Sequence, residues 1–255
     1  LAMVGDPTAL RDLDDSGIKN ADLFVSVTPE EPTNITACML AHSLGAHKTF
    51  ARINNYEYLL PKNKELFEKL GISSMIYPEM LAAKEIVTAV QRPWTRQYWE
   101  LFGGILILIG VKVRDNAPIV NKKLTELNLS QKLYHIVAIK RKSETIIPRG
   151  TDHIESGDIV FFTTTREHVN EVQLQAGKTD PEVKKVIIMG GSRIALRTCQ
   201  YLPSNIRVKV IETNKEKSQR IAEVVPGNVL IINGDGRDTD LLIQEGIKDA
   251  QAFIA

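Results

Sequence analysis

The strongest constraint on this chain is that it repeats itself. Leu1–Ser26 lies over Leu230–Ala255 without a gap, at a constant offset of 229 residues. Identities fall at Leu1/Leu230, Gly5/Gly234, Asp6/Asp235, Leu13/Leu242, Gly17/Gly246, Ile18/Ile247, Lys19/Lys248, Ala21/Ala250 and Phe24/Phe253. Self-similarity at a fixed spacing means that one structural unit is used twice. The unit reads as an apolar strand ending at Gly-Asp, a short helix closed by a C-terminal glycine, and a second buried strand. With a repeat of this length, the residues are expected to hold the later part of one unit and the opening of the next, cut in register; Leu1 in place of Met agrees with a fragment.

Between the repeats the chain alternates apolar strands with amphipathic helices, the βαβ signature of a mostly parallel sheet. Phe24–Thr28, Lys48–Ile53 and Ser74–Tyr77 read as strands. Helices open at Pro32 and Pro78, and Pro61 interrupts a third. After Arg92-Pro93-Trp94 and Gly103-Gly104 the style changes to short strands and tight turns, with Ile105–Val113, Tyr134–Arg141, Glu144–Ile147 and Asp158–Thr163 as strands and Asn121–Leu127 and Arg166–Val172 as helices. Lys140-Arg141-Lys142 reads as a hairpin turn with solvated charges. From Val183 the α/β style resumes through strands ending at Met189, Glu212 and Ile232.

The expected architecture is therefore α/β, with Rossmann-like parallel sheet portions at 1–102 and 183–255 flanking a small α+β module at 103–175. The aromatic segment Trp94–Gly104 is the candidate hinge. Half-sheets expose unpaired edges, so 1–92 and 183–255 are expected to pair into a hybrid domain, within a chain or between chains.

Composition excludes several functions. Thirty-two Lys and Arg balance 31 Asp and Glu, so no field favours a nucleic-acid backbone. The longest purely apolar run, Ile105–Ile109, is far short of the ~20 residues that span a bilayer, and no secretory or transit pattern is recognisable. Cys38 and Cys199 stand alone, outside any CxxC pair, as in a reducing compartment. A cytoplasmic location follows.

Candidate ligand residues cluster at strand ends. Gly190-Gly191-Ser192-Arg193-Ile194-Ala195 stands where a G-x-G-x-x-G loop would stand, after an apolar strand and at a helix start, but as G-x-S-x-x-A. The first glycine serves the tight turn, and amides at the helix start attract phosphate. Glu212, 22 residues after Gly190, ends the next strand, where an acid accepts from an adenosine ribose. Gly234-Asp235 ends the third. In the first unit the corresponding positions are Gly5, Asp6, the strand-end Thr28 and Arg52, whose guanidinium suits phosphate. The bland alternative is that these residues only cap structural turns. His42 and His47 lack a third ligand, so no metal site is expected, and no nucleophile, base and orienting acid can be grouped.

Gly5-Asp6, Gly17-Ile18, Ala21–Thr28, Thr33-Asn34 and Phe50–Ile53 resemble the later half of the RCK nucleotide-binding domain, which regulates potassium conductance. Pro118–Leu127, Ile136–Arg141, Ile146–Gly150 and Gly157-Asp158 resemble the RCK C-terminal subdomain more specifically still. The resemblance covers essentially the whole chain and implies two RCK units in tandem. It implies a non-enzymatic, cytosolic, nucleotide-sensing regulatory subunit, peripheral on the inner face of the cell membrane. The implied partners are a TrkH-type membrane potassium transporter subunit and further copies of the chain, as a dimer or ring. NAD(H) is the implied cofactor, with ATP or ADP second. Ser192 and Ala195 depart from the family's glycines. The same fold also serves NAD-dependent oxidoreductases, which need a proton donor beside the nicotinamide and a polar substrate pocket; neither is recognisable. A second effector on the small module, such as a cyclic dinucleotide or a cation, is a third reading.

Overall fold

The computed structural model describes residues 2–127, 133–179 and 182–255. They form two compact units, Leu1–Ala83 and Lys84–Ala255.

The first unit runs α1 (Leu10–Asp15), β1 (Leu23–Ser26), α2 (Glu31–Ser43), β2 (Lys48–Arg52), α3 (Pro61–Lys69), β3 (Ser74–Ile76) and the start of α4 (Pro78–Gln91). The strands are parallel in the order β1-β2-β3, with Leu23 beside Lys48 and Phe50 beside Ser74. Pro32 sits in the first turn of α2, where its missing N–H costs nothing. Pro61 likewise opens α3 after a short 3-10 turn at Tyr56–Leu59, and does not interrupt a helix. Cys38, Ala51, Phe67 and Ile72 form one apolar cluster, and Leu13, Ile18, Ala41 and Ala46 another. Residues 2–5, expected as a strand, lie outside any ladder. Their repeat counterpart is a strand because it has a neighbour to pair with, and a lone strand has nothing to stabilise it.

The second unit holds two sheets. One is antiparallel: β4 (Gln97–Leu101), β5 (Leu106–Lys112), β6 (Tyr134–Arg141), β7 (Glu144–Ile146) and β8 (Ile159–Thr164), in the order β4-β5-β8-β6-β7. Together with α5 (Val169–Gln175) it buries Ile107, Ile109, Val111, Ile136, Val160, Phe162 and Val172. The segment read as a hinge contains strand β4 and the 3-10 turn Phe102–Gly104, with Trp94 buried in this core. Asn121–Leu127, read as a helix, is a chain of turns held by the bridges Val120–Ile154 and Lys123–His153.

Arg141 is not a solvated turn charge. Its Nε and Nη2 donate to both oxygens of Asp158 at 3.0 and 2.8 Å, and the Asp158 side chain is only 2% exposed. Glu155 adds a second contact to Arg141 at 2.6 Å.

The other sheet is parallel: β9 (Lys185–Met189), α6 (Arg193–Tyr201), β10 (Arg207–Glu212), α7 (Lys215–Ala222), β11 (Val229–Asn233), α8 (Thr239–Gln244) and β12 (Ala252–Ile254), in the order β11-β10-β9-β12. Val186, Ile188, Val208 and Val210 bury one face against Ala195, Cys199 and Leu202, and Val87 and Val90 of α4 join the same core. The sequence repeat is a structural one: α1 and α8 occupy matching positions, as do the 3-10 turns Ile18–Asn20 and Ile247–Asp249.

The expected within-chain hybrid domain is not formed, because β1–β3 and β9–β12 hydrogen-bond in separate sheets. The repeat explains why. β12 is the counterpart of β1, and β12 already lies along the edge of β9 that β1 would have to take.

Cys38 and Cys199 are free and buried, and desolvation pushes both thiols up to about 11. Among the described residues no helix is long and apolar enough to cross a membrane. Replacing Asp158 with Asn leaves the Arg141 guanidinium facing a neutral amide in a nearly closed site, and is expected to cost about 2–4 kcal/mol of stability in chemical denaturation.

Candidate functional site

The candidate site of the second unit grows from the turn between β9 and α6. Gly190 has φ +91°, a left-handed conformation open to glycine, and its N–H donates to Ile211 at 2.8 Å, tying the turn to β10. Gly191 is needed for a different reason. A Cβ there would collide with Ile221 Cδ1 and lie 3.1 Å from Glu212 Oε2, so the absent side chain lets the turn close down on β10 and α7. Ser192, in place of the motif glycine, caps α6: its Oγ accepts the Ala195 N–H at 3.1 Å. Arg193 follows in the first helical turn, exposed, and Ile194 is half-buried.

Glu212 is the centre of this arrangement. Its side chain is 7% exposed and its carboxylate collects four protein donors. Oε2 accepts the Gly191 N–H at 2.9 Å and the Lys217 ammonium at 2.7 Å; Oε1 accepts the Asn214 N–H at 3.0 Å and the Thr213 hydroxyl at 3.3 Å. Burial alone would raise its pKa. The Lys217 ammonium and the N–H groups of Asn214 and Gly191 outweigh it and hold the carboxyl at about 2. Its own backbone carbonyl accepts from Gly234 N–H and Asn233 Nδ2, so the ends of β9, β10 and β11 meet at one residue.

Lys217 escapes a motif reading, although Glu212, the N-cap Asn214 and a Lys in the first turn of α7 form a short signal. Gly191, Ser192, Arg193, Leu196, Lys217, Arg220, Ile221 and Val224 line an open groove of about 480 Å³ at this end of the sheet. Three cations beside an apolar floor suit a ligand with an anionic portion and a flat apolar one. Asp235 is engaged elsewhere, by the side chain and backbone N–H of Arg237, which hold its pKa at about 2.

In the first unit the strand ends are held by Asn34, fully buried on α2. Its Oδ1 accepts from Ser26 Oγ at 2.9 Å and from the Thr28 N–H and hydroxyl, both at 2.8 Å; its Nδ2 donates to the carbonyls of Thr28 and Arg52 at 2.9 and 3.0 Å. Thr28 and Arg52 are thereby brought to one place. The Arg52 Nε is buried without a hydrogen-bond partner among the described residues. Asp6 instead closes a local turn, accepting from the N–H and hydroxyl of Thr8, with its own N–H given to Asp12 at 2.7 Å beside Gly5. Among the described residues no three His, Cys, Asp or Glu side chains converge as a metal site.

The TrkA-N domain model matches residues 1–78 and 186–255, and the TrkA-C domain model residues 108–177. The Trk system potassium uptake protein TrkA of Haemophilus influenzae is 31% identical over 98% of this chain and 56% of its own length. The protein of the same name from Halomonas elongata is 30% identical over 94% of this chain and 53% of its own. The chain spans about half the length of the curated relatives it matches. Among solved structures, the GsuK channel bound to NAD superposes with a TM-score of 0.64 at 17% identity, over 98% of this chain and 43% of that one. The likeness shows a shared fold.

Two substitutions test the strand-end clasps. The folded-state pKa of Glu212 lies below its ordinary value of 4.5, so its ionised form stabilises the fold above that pH, and the contribution disappears as pH falls from about 4.5 to about 2. Glu212→Gln should cost on the order of 2–3 kcal/mol at pH 7 and converge with the parent protein in acid, read from denaturant midpoints across pH. Asn34→Ala, which strands three donors and two carbonyls, should cost about 2–4 kcal/mol by the same measurement.

Proposed function

Because the chain belongs to the family of TrkA-N domain proteins, we propose that it forms part of a cytosolic nucleotide-sensing regulatory subunit of a potassium uptake system, gating a TrkH-type membrane transporter from the inner face of the membrane. The effector is NAD(H), with ATP or ADP as competitors. The observation that carries this reading is the clasp at Glu212: a strand-end carboxylate held against a close-packed glycine turn, with cations at the rim.

The residues fit a dinucleotide. Gly190, Ser192, Arg193 and Ile194 line the turn where α6 presents its first amides, the place for a pyrophosphate. Glu212 is the acceptor for ribose hydroxyls, and Gly234 and Asp235 flank the third strand end on the adenine side. Lys217 shares the Glu212 carboxylate and is part-exposed, so a ribose competing for that carboxylate bears on the ion pair and through it on α7. In the first unit Gly5, Asp6, Thr28 and Arg52 are the counterparts, and the Arg52 Nε, buried without a hydrogen-bond partner among the described residues, marks the strand end where its guanidinium would meet a phosphate. Ser192 spends its hydroxyl on Ala195 and fills the place of a glycine, which predicts weaker binding here than at a complete glycine loop.

The nucleotide acts by binding. It shifts the subunit between two arrangements by its differential affinity for them, which is all a regulatory ligand supplies. Further copies of the chain assemble into a dimer or ring, and catalysis has no part in the cycle.

Calorimetric titration of NADH, NAD, ATP and ADP into the full-length protein tests the reading, with potassium uptake in cells as the second readout. Glu212→Gln and Arg52→Gln should each weaken nucleotide binding by about tenfold and blunt the uptake response. Unchanged affinity and unchanged uptake in both variants would sink it, and steady oxidation of NADH by the purified protein would favour an oxidoreductase.

A further inference from the structure

The second unit holds another cavity, which shares no residue with the groove beside Glu212. It encloses about 380 Å³, and small-molecule sites span roughly 300–1,000 Å³. One wall is the end of α4; the other is the start of α5 with the 3-10 turn Arg166–His168 before it. The cavity sits at a junction, because Val87 and Val90 of α4 pack in the core of the parallel sheet while Trp94, just beyond, packs in that of the antiparallel sheet. Val169 and Trp94, 5% and 7% exposed, give it an apolar side. The Trp94 indole N–H has no hydrogen-bond partner among the described residues, and neither do the side-chain amides of Gln91, Asn170 and Gln173, which line the same space.

Each wall contributes an arginine. The Arg92 guanidinium lies 4.2 Å from the centre of the Tyr98 ring. Stacking fixes its plane through the face and leaves the N–H groups of its edge unspent, and Arg92 has no ion-pair partner among the described residues. Arg166 is placed by Glu100, whose Oε2 accepts from Nη2 at 3.0 Å, and by Gly104, where a Cβ would come within 2.7 Å of that nitrogen. Burial pushes the Tyr98 phenol up, and Arg92 and Arg166 are both near enough to draw it back, so the two positive charges lie about one ring. Glu182, exposed, is the one acid lining the cavity. We propose that this cavity binds a small organic oxyanion, a carboxylate or a phosphate monoester, with its charged group between Arg92 and Arg166 and its polar body against the three carboxamides and the Trp94 N–H. Guanidinium edges match the oxygens of such groups in pairs, and a half-buried cation without a counter-ion selects against neutral and cationic ligands. A ligand held here joins the end of α4 to α5. This proposal is independent of the nucleotide reading.

Calorimetric titration of the full-length protein with inorganic phosphate, glucose 6-phosphate and citrate at matched ionic strength tests it, with uncharged glucose as the control. At least one of the three anions should bind and glucose should not; the tighter of the two organic anions identifies the charged group. Arg92→Gln and Arg166→Gln should each weaken that binding by about tenfold. Trp94→Phe, which keeps an aromatic ring and removes the N–H, should weaken it by about threefold. Arg96→Gln, an exposed arginine outside the cavity, should leave it unchanged. Amide exchange in the parent protein gives a reading free of any variant's folding: the bound anion should slow exchange at residues 91–94 and 166–173 and leave 190–217 unmoved. Binding of none of the three anions, a loss as large in Arg96→Gln as in Arg92→Gln, or protection confined to 190–217 would each overturn the assignment.

Discussion

The carboxyl end of a parallel sheet leaves backbone groups with no ladder to join, and this chain satisfies them in both units by spending one polar side chain on several strands at once. In the second unit Glu212 takes the Gly191 and Asn214 N–H groups and the Lys217 ammonium. In the first, Asn34 takes Thr28 and Ser26 and gives to Thr28 and Arg52. Desolvating such groups is unfavourable unless every bond is made. The geometry of each strand end is therefore held to the tolerance of those bonds, and everything placed there inherits that definition.

The two clasps differ in charge, and the difference bears on what each can do. Glu212 carries its negative charge in a nearly closed position and needs Lys217 to compensate it. Asn34 is neutral and needs no counter-ion, which leaves Arg52 with a buried Nε uncommitted. One site balances its electrostatics within the protein; the other holds an arginine nitrogen that is buried without a hydrogen-bond partner among the described residues.

Much of the fold was legible because its signals are local. Strand β6 follows from its apolar pattern, α2 and α4 from prolines at their first turns, and the Gly190-to-Glu212 spacing placed the turn and the acid that meet in the structure. What escaped was set by tertiary pairing. β4 reads as a hinge because Pro93 and a run of aromatics hide an alternation that only β5 makes visible. Leu124 and Leu127 are spaced as on a helix, yet Val120 and Lys123 are captured by Ile154 and His153 as bridges. Arg141 looks like one of three solvated charges until Asp158 arrives from 17 residues away. The expected hybrid domain is not formed within the chain, and the repeat itself held the reason, since β1 and β12 are equivalent strands that would take one edge of β9. The roles of Lys217 and Asn34 escaped for the same reason: each matters through a partner on another element.

The two buried cysteines give the molecule a property of its own. With both thiols near 11, roughly one in three thousand is ionised at pH 7.5, and only the ionised form reacts with peroxide or disulfide at a useful rate. Both sulfurs are thus shielded from oxidants by packing as well as by protonation.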